Sequence, residues 1–324
     1  NMEYAYGVGK IRAIETRIIN LSQLEKVWQQ TGFKATADFF EEKYELTGFA
    51  EDNFEYRLSE HLGKTIKTLK ALAIERPLFS IFLLKYDFHN LKVLSKNLSD
   101  SFVLPSGNFS KEELAEMIKA FNFSKFNEIS DVLPPRLSAI FKSDEKNVPQ
   151  AGLPPQGLPS VAPQSDYYLE QLLFDVSVIT AKKCKNDFLV DFIKKQIDIK
   201  NLSTFYRSVK QKKEKDFLNK YLLAGGHIDK EIFLTVFGNP ASLKIPQYEK
   251  ILNSAKIDFE KAADDFITEY IGEAKHISFG IEPLIGYIWA KEIELKNVRI
   301  ILYGKINNFE KEEVFAQLRI PYVQ

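Results

Sequence analysis

Apolar residues recur along this chain mostly at steps of three and four. Ile11, Ile14, Ile18 and Leu21 keep that rhythm, as do Phe54, Leu58, His61, Leu62, Ile66, Leu69 and Leu72; a 3.6-residue period gathers each set on one helix face. No stretch shows sustained apolar–polar alternation closed by a hairpin turn, the mark of a half-buried strand. Pro77, Pro105, Pro134, Pro135, Pro240, Pro246 and Pro283, with the Gly225-Gly226 pair, interrupt the helical segments, because proline lacks an amide hydrogen and glycine the backbone restraint a helix interior needs. The pattern predicts an all-α chain of medium helices joined by short turns. The exception is Asp144 to Asp166, whose prolines and glycines replace any period. It is expected to be an extended linker or loop, a reading preferred to a proline-rich docking peptide because such motifs are short and easily matched by chance.

One pattern occurs three times: Tyr86-Asp87-Phe88-His89-Asn90-Leu91, Ile197-Asp198-Ile199-Lys200-Asn201-Leu202 and Ile293-Glu294-Leu295-Lys296-Asn297-Val298. The apolar register continues at Leu94, Phe205 and Ile301, four residues beyond each asparagine, as one helix face requires. In each copy the acid and the asparagine stand three apart and share a face. Asp87 with Asn90, Asp198 with Asn201 and Glu294 with Asn297 are therefore expected to be structural, hydrogen-bonding between helices to set packing register in preference to touching a ligand.

A helix start precedes each copy. Leu21-Ser22-Gln23-Leu24-Glu25 and Phe109-Ser110-Lys111-Glu112-Glu113 read as capping boxes, serine and glutamate each satisfying a first-turn amide. In Ile228-Asp229-Lys230-Glu231-Ile232, Asp229 is an equally good N-cap. Phe309-Glu310-Lys311-Glu312-Glu313 looks like a fourth opening helix with no unit after it. From Ser22 to Asn90 is 68 residues, from Asp229 to Asn297 is 68 and from Ser110 to Asn201 is 91; the excess of 23 equals the length of Asp144–Asp166. The expected organisation is three similar helical domains, residues 1–105, 106–222 with the proline-rich loop at 144–166, and 223–324 with a C-terminal helix. They should form a closed or curved array with pseudo-threefold symmetry.

Composition narrows the function. Lys plus Arg and Asp plus Glu number 44 each, so the chain lacks the cation excess of a general nucleic-acid or anionic-membrane binder. The basic run Lys210 to Lys215 is taken as a solvated face. Cys184 is the only cysteine, which excludes an intramolecular disulfide, and no apolar run reaches the roughly 20 residues that cross a bilayer. The N-terminus has no apolar core of a signal peptide, so the expected compartment is cytoplasmic. Catalytic candidates are weak. Tyr6-Gly7-Val8-Gly9-Lys10 lacks phosphate-loop spacing and is expected to be a flexible entry to the first helix. His61, His89, His227 and His276 stand in no metal-ligand spacing, and Cys184 has no histidine paired with it. Neither a catalytic residue nor a cofactor or metal site is expected.

Leu83-Leu84-Lys85-Tyr86-Asp87-Phe88-His89-Asn90-Leu91, Ala224-Gly225-Gly226-His227-Ile228-Asp229, Glu282-Pro283-Leu284, Trp289-Ala290-Lys291-Glu292, Lys296-Asn297-Val298-Arg299 and Gly304-Lys305 resemble, in order and spacing, the C subunits of the V/A-type rotary ATPases, the AC39/d-subunit family. The resemblance covers essentially the full length; the proline-rich insert departs from it. It implies a non-catalytic funnel of three helical domains that receives the central shaft, made of the D and F subunits, and rests on the membrane proteolipid ring. It further implies a protein peripheral to the cell membrane, without a span of its own, monomeric when isolated, transmitting torque for ATP-driven ion transport or ATP synthesis. Tyr6, Arg12, Arg207 and Arg299 are the shaft-interface candidates. The competing readings are a generic α-helical scaffold and an enzyme using Gly7-Val8-Gly9-Lys10 or Cys184.

Overall fold

The computed structural model describes residues 3–145, 163–254 and 258–322. Most of the proline-rich stretch, 146–162, lies outside the described residues. Among those residues there are fifteen α-helices and no strand. In order they are α1 Glu3–Glu15, α2 Leu21–Trp28, α3 Gly32–Tyr44, α4 Phe54–Lys70, α5 Arg76–Ser95, α6 Lys111–Ala120, α7 Leu133–Glu145, α8 Pro163–Lys183, α9 Asp187–Lys210, α10 Lys215–Tyr221, α11 Lys230–Val236, α12 Glu249–Ser254, α13 Phe259–Gly272, α14 Glu282–Ile306 and α15 Lys311–Gln317. They fall into two compact units, Asn1–Ile74 with Lys250–Gln324, and Glu75–Glu249.

The three copies of the acid–asparagine pattern lie on the long helices α5, α9 and α14. These run for 20, 24 and 25 residues. Helices α5 and α14 bury side chains on every face: Leu83, Leu84, Tyr86, Asp87, Phe88, Asn90 and Leu91 are all buried in α5, and Leu284 through Ile288 in α14. A helix wrapped on all sides shows no single apolar stripe. All three stop the same way, on a left-handed residue that is not glycine: Asn97, Lys212 and Asn308. The next amide in each case returns to a carbonyl five residues back, Leu98 to Val93, Lys213 to Ser208 and Phe309 to Gly304. This closure satisfies end carbonyls that a helix otherwise leaves open.

Two expectations about helix starts are corrected. The N-cap of α2 is Asn20, not Ser22: its side chain accepts from the Gln23 amide while the Gln23 side chain accepts from the Asn20 amide. Asparagine and serine are comparable caps, and the one that wins here places Leu24 and Val27 in the core. The first landmark distance thereby becomes 70 residues, from Asn20 to Asn90. The caps of α6 and α11 are Ser110, in a complete box with Glu113, and Asp229. The second correction concerns Phe309–Glu313. It starts α15, whose N-cap Glu310 makes no side-chain cap bond. That helix corresponds to α10, capped equally weakly by Glu214, and both follow a long helix; it is the tail of a module and not the opening of a fourth. The Gly7 and Gly9 segment is also not a flexible entry, for it lies within α1.

Replacing Asn20 by alanine should cost about 1 kcal/mol of stability, whereas Ser22→Ala, on an exposed helical position, should be close to neutral; urea unfolding of the two variants checks the assignment.

Candidate functional site

Each long helix uses its asparagine in the same way. Asn90 donates from Nδ2 to the Leu104 carbonyl at 2.8 Å and accepts at Oδ1 from the Leu104 amide at 2.8 Å. Asn201 makes the same pair with Leu223, at 2.9 and 2.7 Å, and Asn297 with Arg319, at 2.9 and 2.8 Å. A carboxamide offers a donor and an acceptor side by side, so it can pair with both backbone groups of one residue; an ionised carboxylate of equal size cannot. Leu104, Leu223 and Arg319 each stand two residues past a short helix, the 3₁₀ turn Asp100–Phe102, α10 and α15 respectively. The sequence separation is 14 in the first copy and 22 in the others. In the first copy the long helix and the short one are each four residues shorter beyond the asparagine, which accounts for the difference.

The acid of each copy grips the residue just before an opening-helix N-cap. Asp87 Oδ1 accepts from the amides of Asn108 at 2.8 Å and Phe109 at 3.2 Å, ahead of Ser110. Asp198 accepts from the amides of His227 at 3.1 Å and Ile228 at 3.0 Å, ahead of Asp229. Glu294 Oε1 accepts from the Ile19 amide at 3.3 Å, ahead of Asn20. A side-chain donor completes each site: Asn108 Nδ2 to Asp87 at 2.7 Å, Tyr248 hydroxyl to Asp198 at 2.7 Å and Tyr44 hydroxyl to Glu294 at 3.0 Å. Asp87 and Asp198 are fully buried, where a carboxylate without such donors would be prohibitively costly.

Two glycines make the close approach possible. A Cβ on Gly107 would stand 2.2 Å from Asp87 Oδ1, and one on Gly226 2.1 Å from Asp198 Oδ1. Each lies two residues before the second gripped amide, that of Phe109 or Ile228. The corresponding residue in the third copy is Arg17, and there the acid is glutamate, longer by one methylene. These glycines, together with Tyr44 and Tyr248, went unmarked as site residues by sequence reasoning; a glycine two residues before an apolar residue and its N-cap was the available signal.

The third clamp adds a buried cation to its buried acid. Lys291 Nζ pairs with Glu294 Oε2 at 2.5 Å, both side chains almost wholly buried, and lies 4.9 Å from the centre of the Tyr44 ring. Tyr44 stacks on His61 at 4.2 Å. Burial, with Glu294 adding to it, raises the Tyr44 hydroxyl well above its ordinary range; burial, with Lys291 adding to it, lowers the His61 imidazole to about 3. Beside them is a cavity of about 270 Å³, lined by Arg17, Lys43, Tyr287 and Thr65 among others. A second cavity, of about 290 Å³, lies in the other unit beside Lys92, Tyr167, Arg207 and Phe217.

The four shaft candidates stand in different surroundings. Tyr6 is 74% exposed on α1. Arg12 bonds Glu15 and reaches the carbonyls of Ala274, Lys275 and Ile277. Arg299 pairs with Glu55 at 2.5 Å, and Arg207 is exposed on α9. Tyr6, Arg12 and Arg299 belong to one unit, Arg207 to the other. The chemistry-bearing residues do not converge. His89 Nε2 meets the Phe102 carbonyl at 2.9 Å and His227 Nε2 meets Asp191 at 2.7 Å. The Cys184 thiol is raised by burial and by Glu75, away from the thiolate a nucleophile needs. Amides inside α1 are committed to the helix and cannot cradle a phosphate. Among the described residues no group of His, Cys, Asp or Glu could hold a metal ion, and no helix is long and apolar enough to cross a membrane.

Buried helices pinned by repeated side-chain-to-backbone clamps define a helical framework protein. The chain belongs to the ATP synthase (C/AC39) subunit family, whose model matches residues 8–316; that family is a non-catalytic component of the complex. It is 26% identical to the C subunit of the V-type sodium ATPase of Enterococcus hirae, over 99% of both chains. To the C subunit of the A-type ATP synthase of Methanocaldococcus jannaschii it is 23% identical, over 97% of this chain and 86% of that one. A shorter match to the same-named protein of Methanobrevibacter smithii reaches 30%, over 43% of this chain. The reading as a scaffold unrelated to rotary ATPases falls with this membership.

Asn201 and both its bonds are buried, whereas those of Asn90 and Asn297 are partly so. Asn201→Ala strands two backbone groups and should cost about 2–6 kcal/mol, more than either counterpart, since each buried orphan costs about 1–3 kcal/mol; equilibrium denaturation ranks the three. For the third clamp, Glu294→Gln leaves Lys291 buried without its counter-charge and should cost about 3–5 kcal/mol. His61 binds its proton more weakly folded than unfolded, so its contribution is complete above the unfolded value near 6.5 and is lost as pH falls toward about 3. His61→Phe should flatten that part of the stability–pH curve, and an unchanged slope between pH 6.5 and 4 would contradict the assignment.

Proposed function

We propose that this chain is the non-catalytic rotor socket of a V/A-type rotary ATPase, joining the central shaft, made of the D and F subunits, to the membrane proteolipid ring and passing torque between them. The observation that carries the reading is the thrice-repeated clamp. A coupling part must resist shear, and each clamp ties a long buried helix to two successive points of the following chain, or, in the third case, to the chain's other end. Family membership supplies the context of a rotary complex.

The same reading takes the modules as domains 1–105, 106–222 and 223–324, set in a funnel of pseudo-threefold symmetry. The six clamp residues serve as framework. Tyr6, Arg12, Arg207 and Arg299 are the candidates to meet the shaft, and Tyr6 and Arg207 present the most surface for it. The protein is cytoplasmic, peripheral to the membrane through its partners, and monomeric when isolated.

Mixed with folded D/F subcomplex and with purified proteolipid ring, the chain should bind both at micromolar concentration, as a dissociable interface of ordinary size would. Failure of both associations would refute the socket. Arg207→Glu or Arg299→Glu with unchanged shaft binding would remove that residue from the interface while leaving the socket intact.

A further inference from the structure

The segments that close the three long helices and carry the chain through the next short helix differ in charge. From the sixth residue after each clamp asparagine to the end of the next short helix they run Lys96–Phe102, Arg207–Tyr221 and Tyr303–Gln317. The first sets Lys96 against Asp100 and is neutral; the third sets two lysines against three glutamates, for a net −1. The second carries Arg207, Lys210, Lys212, Lys213, Lys215 and Lys220 against Glu214 and Asp216, a net +4 in a chain whose total is zero.

Apart from Leu218, which anchors α10 in the core, every residue from Lys210 to Lys220 is exposed. The five lysines of the turn make no ion pair among the described residues. Lys213 stands 5.2 Å from the centre of the Phe217 ring and Lys220 5.6 Å from that of Tyr221, and Phe217 is itself 37% exposed. No ion pair among the described residues depends on these five lysines, and the corresponding segments of the other two copies carry different charges.

The chemistry selects the partner. Five of the six cations are lysines, mobile point charges that suit a diffuse negative surface better than the bidentate pairing arginine gives a fixed carboxylate. The exposed ring of Phe217 among them favours the boundary between water and hydrocarbon. A cluster of four to eight such cations is what an anionic bilayer attracts. We propose that Lys210–Tyr221, the last residue of α9 with the turn and α10, is a contact site for anionic lipid headgroups. The proposal stands apart from the socket reading, because the isolated chain tests it.

Full-length protein is sedimented with vesicles of phosphatidylcholine alone and of phosphatidylcholine with about 30 mol% phosphatidylglycerol. Binding is expected only to the anionic vesicles and should fall steeply with added salt. The triple variant Lys210→Gln, Lys213→Gln, Lys220→Gln should retain its thermal midpoint and circular dichroism while its partition drops about a hundredfold, on a scale of about fivefold per lysine. Phe217→Ser should weaken binding in a way that salt does not abolish. Equal binding to neutral vesicles, no binding to either, or full binding by the triple variant would each overturn the proposal. So would capture of a polyglutamate peptide by a protein that ignores the vesicles, since that assigns the surface to an acidic protein.

Discussion

A helix that begins inside a protein presents amides no earlier turn can satisfy, and the chain entering it carries further groups that water cannot reach. In this molecule a carboxylate and a carboxamide, three residues apart on a neighbouring helix, supply what is missing. The carboxylate collects amides just before the N-cap; the carboxamide holds a residue two positions past a short helix. Where both act on one connection, at Leu104 to Phe109 and Leu223 to Ile228, they are five residues apart in each case. Placement of α6 and α11 follows from these bonds, since a segment fixed at two points has little freedom left.

The third clamp differs because of what it must close. Asp87 and Asp198 reach 22 and 30 residues along the chain, while Glu294 reaches 275. Loop-closure entropy grows slowly, so 275 residues in place of 30 costs only about 2 kcal/mol more. The added contacts are of a size to offset it: the Lys291 ion pair, the Tyr44 hydroxyl and the cation over the Tyr44 ring. They also make this site sensitive to loss of one partner, because a buried charge without its counter-charge is worse than no charge at all. The glutamate fits the same account. Without glycine at position 17 the backbone cannot come as close as at Gly107 or Gly226, and a longer side chain spans the gap.

Much of this was legible as pattern. The acid–asparagine spacing, its three occurrences and the helical class are properties of short windows, and short windows are what a sequence displays. The identity of the gripped residues was not legible, for Leu104, Leu223 and Arg319 are defined by a fold that returns 14 or 22 residues later. Local ambiguity produced the two errors at helix starts. Asn20 and Ser22 are both good caps, and only burial of Leu24 and Val27 decides between them. Phe309–Glu313 has the acid-rich first turn of any exposed helix, which says nothing about its place in a module. Gly7 and Gly9 read as a loop by composition, yet both lie within α1, whose apolar positions Val8 and Ile11 are buried.

Framework and surface obey different constraints in the three modules. Inside, the substitutions are conservative in chemistry: aspartate becomes glutamate, the asparagine amide of position 108 gives way to tyrosine hydroxyls, and the same bonds are made. Outside, equivalent turns range from net −1 to net +4 with no change in how their helices end. A clamp tolerates little variation because two or three buried donors must meet one acceptor at hydrogen-bond distance, whereas an exposed lysine contributes little to stability whatever its neighbours. Repetition of the clamps therefore fixes the scaffold, and it leaves the surface around each copy free to vary. That separation suits the coupling role proposed above, which asks for a rigid interior and a varied surface.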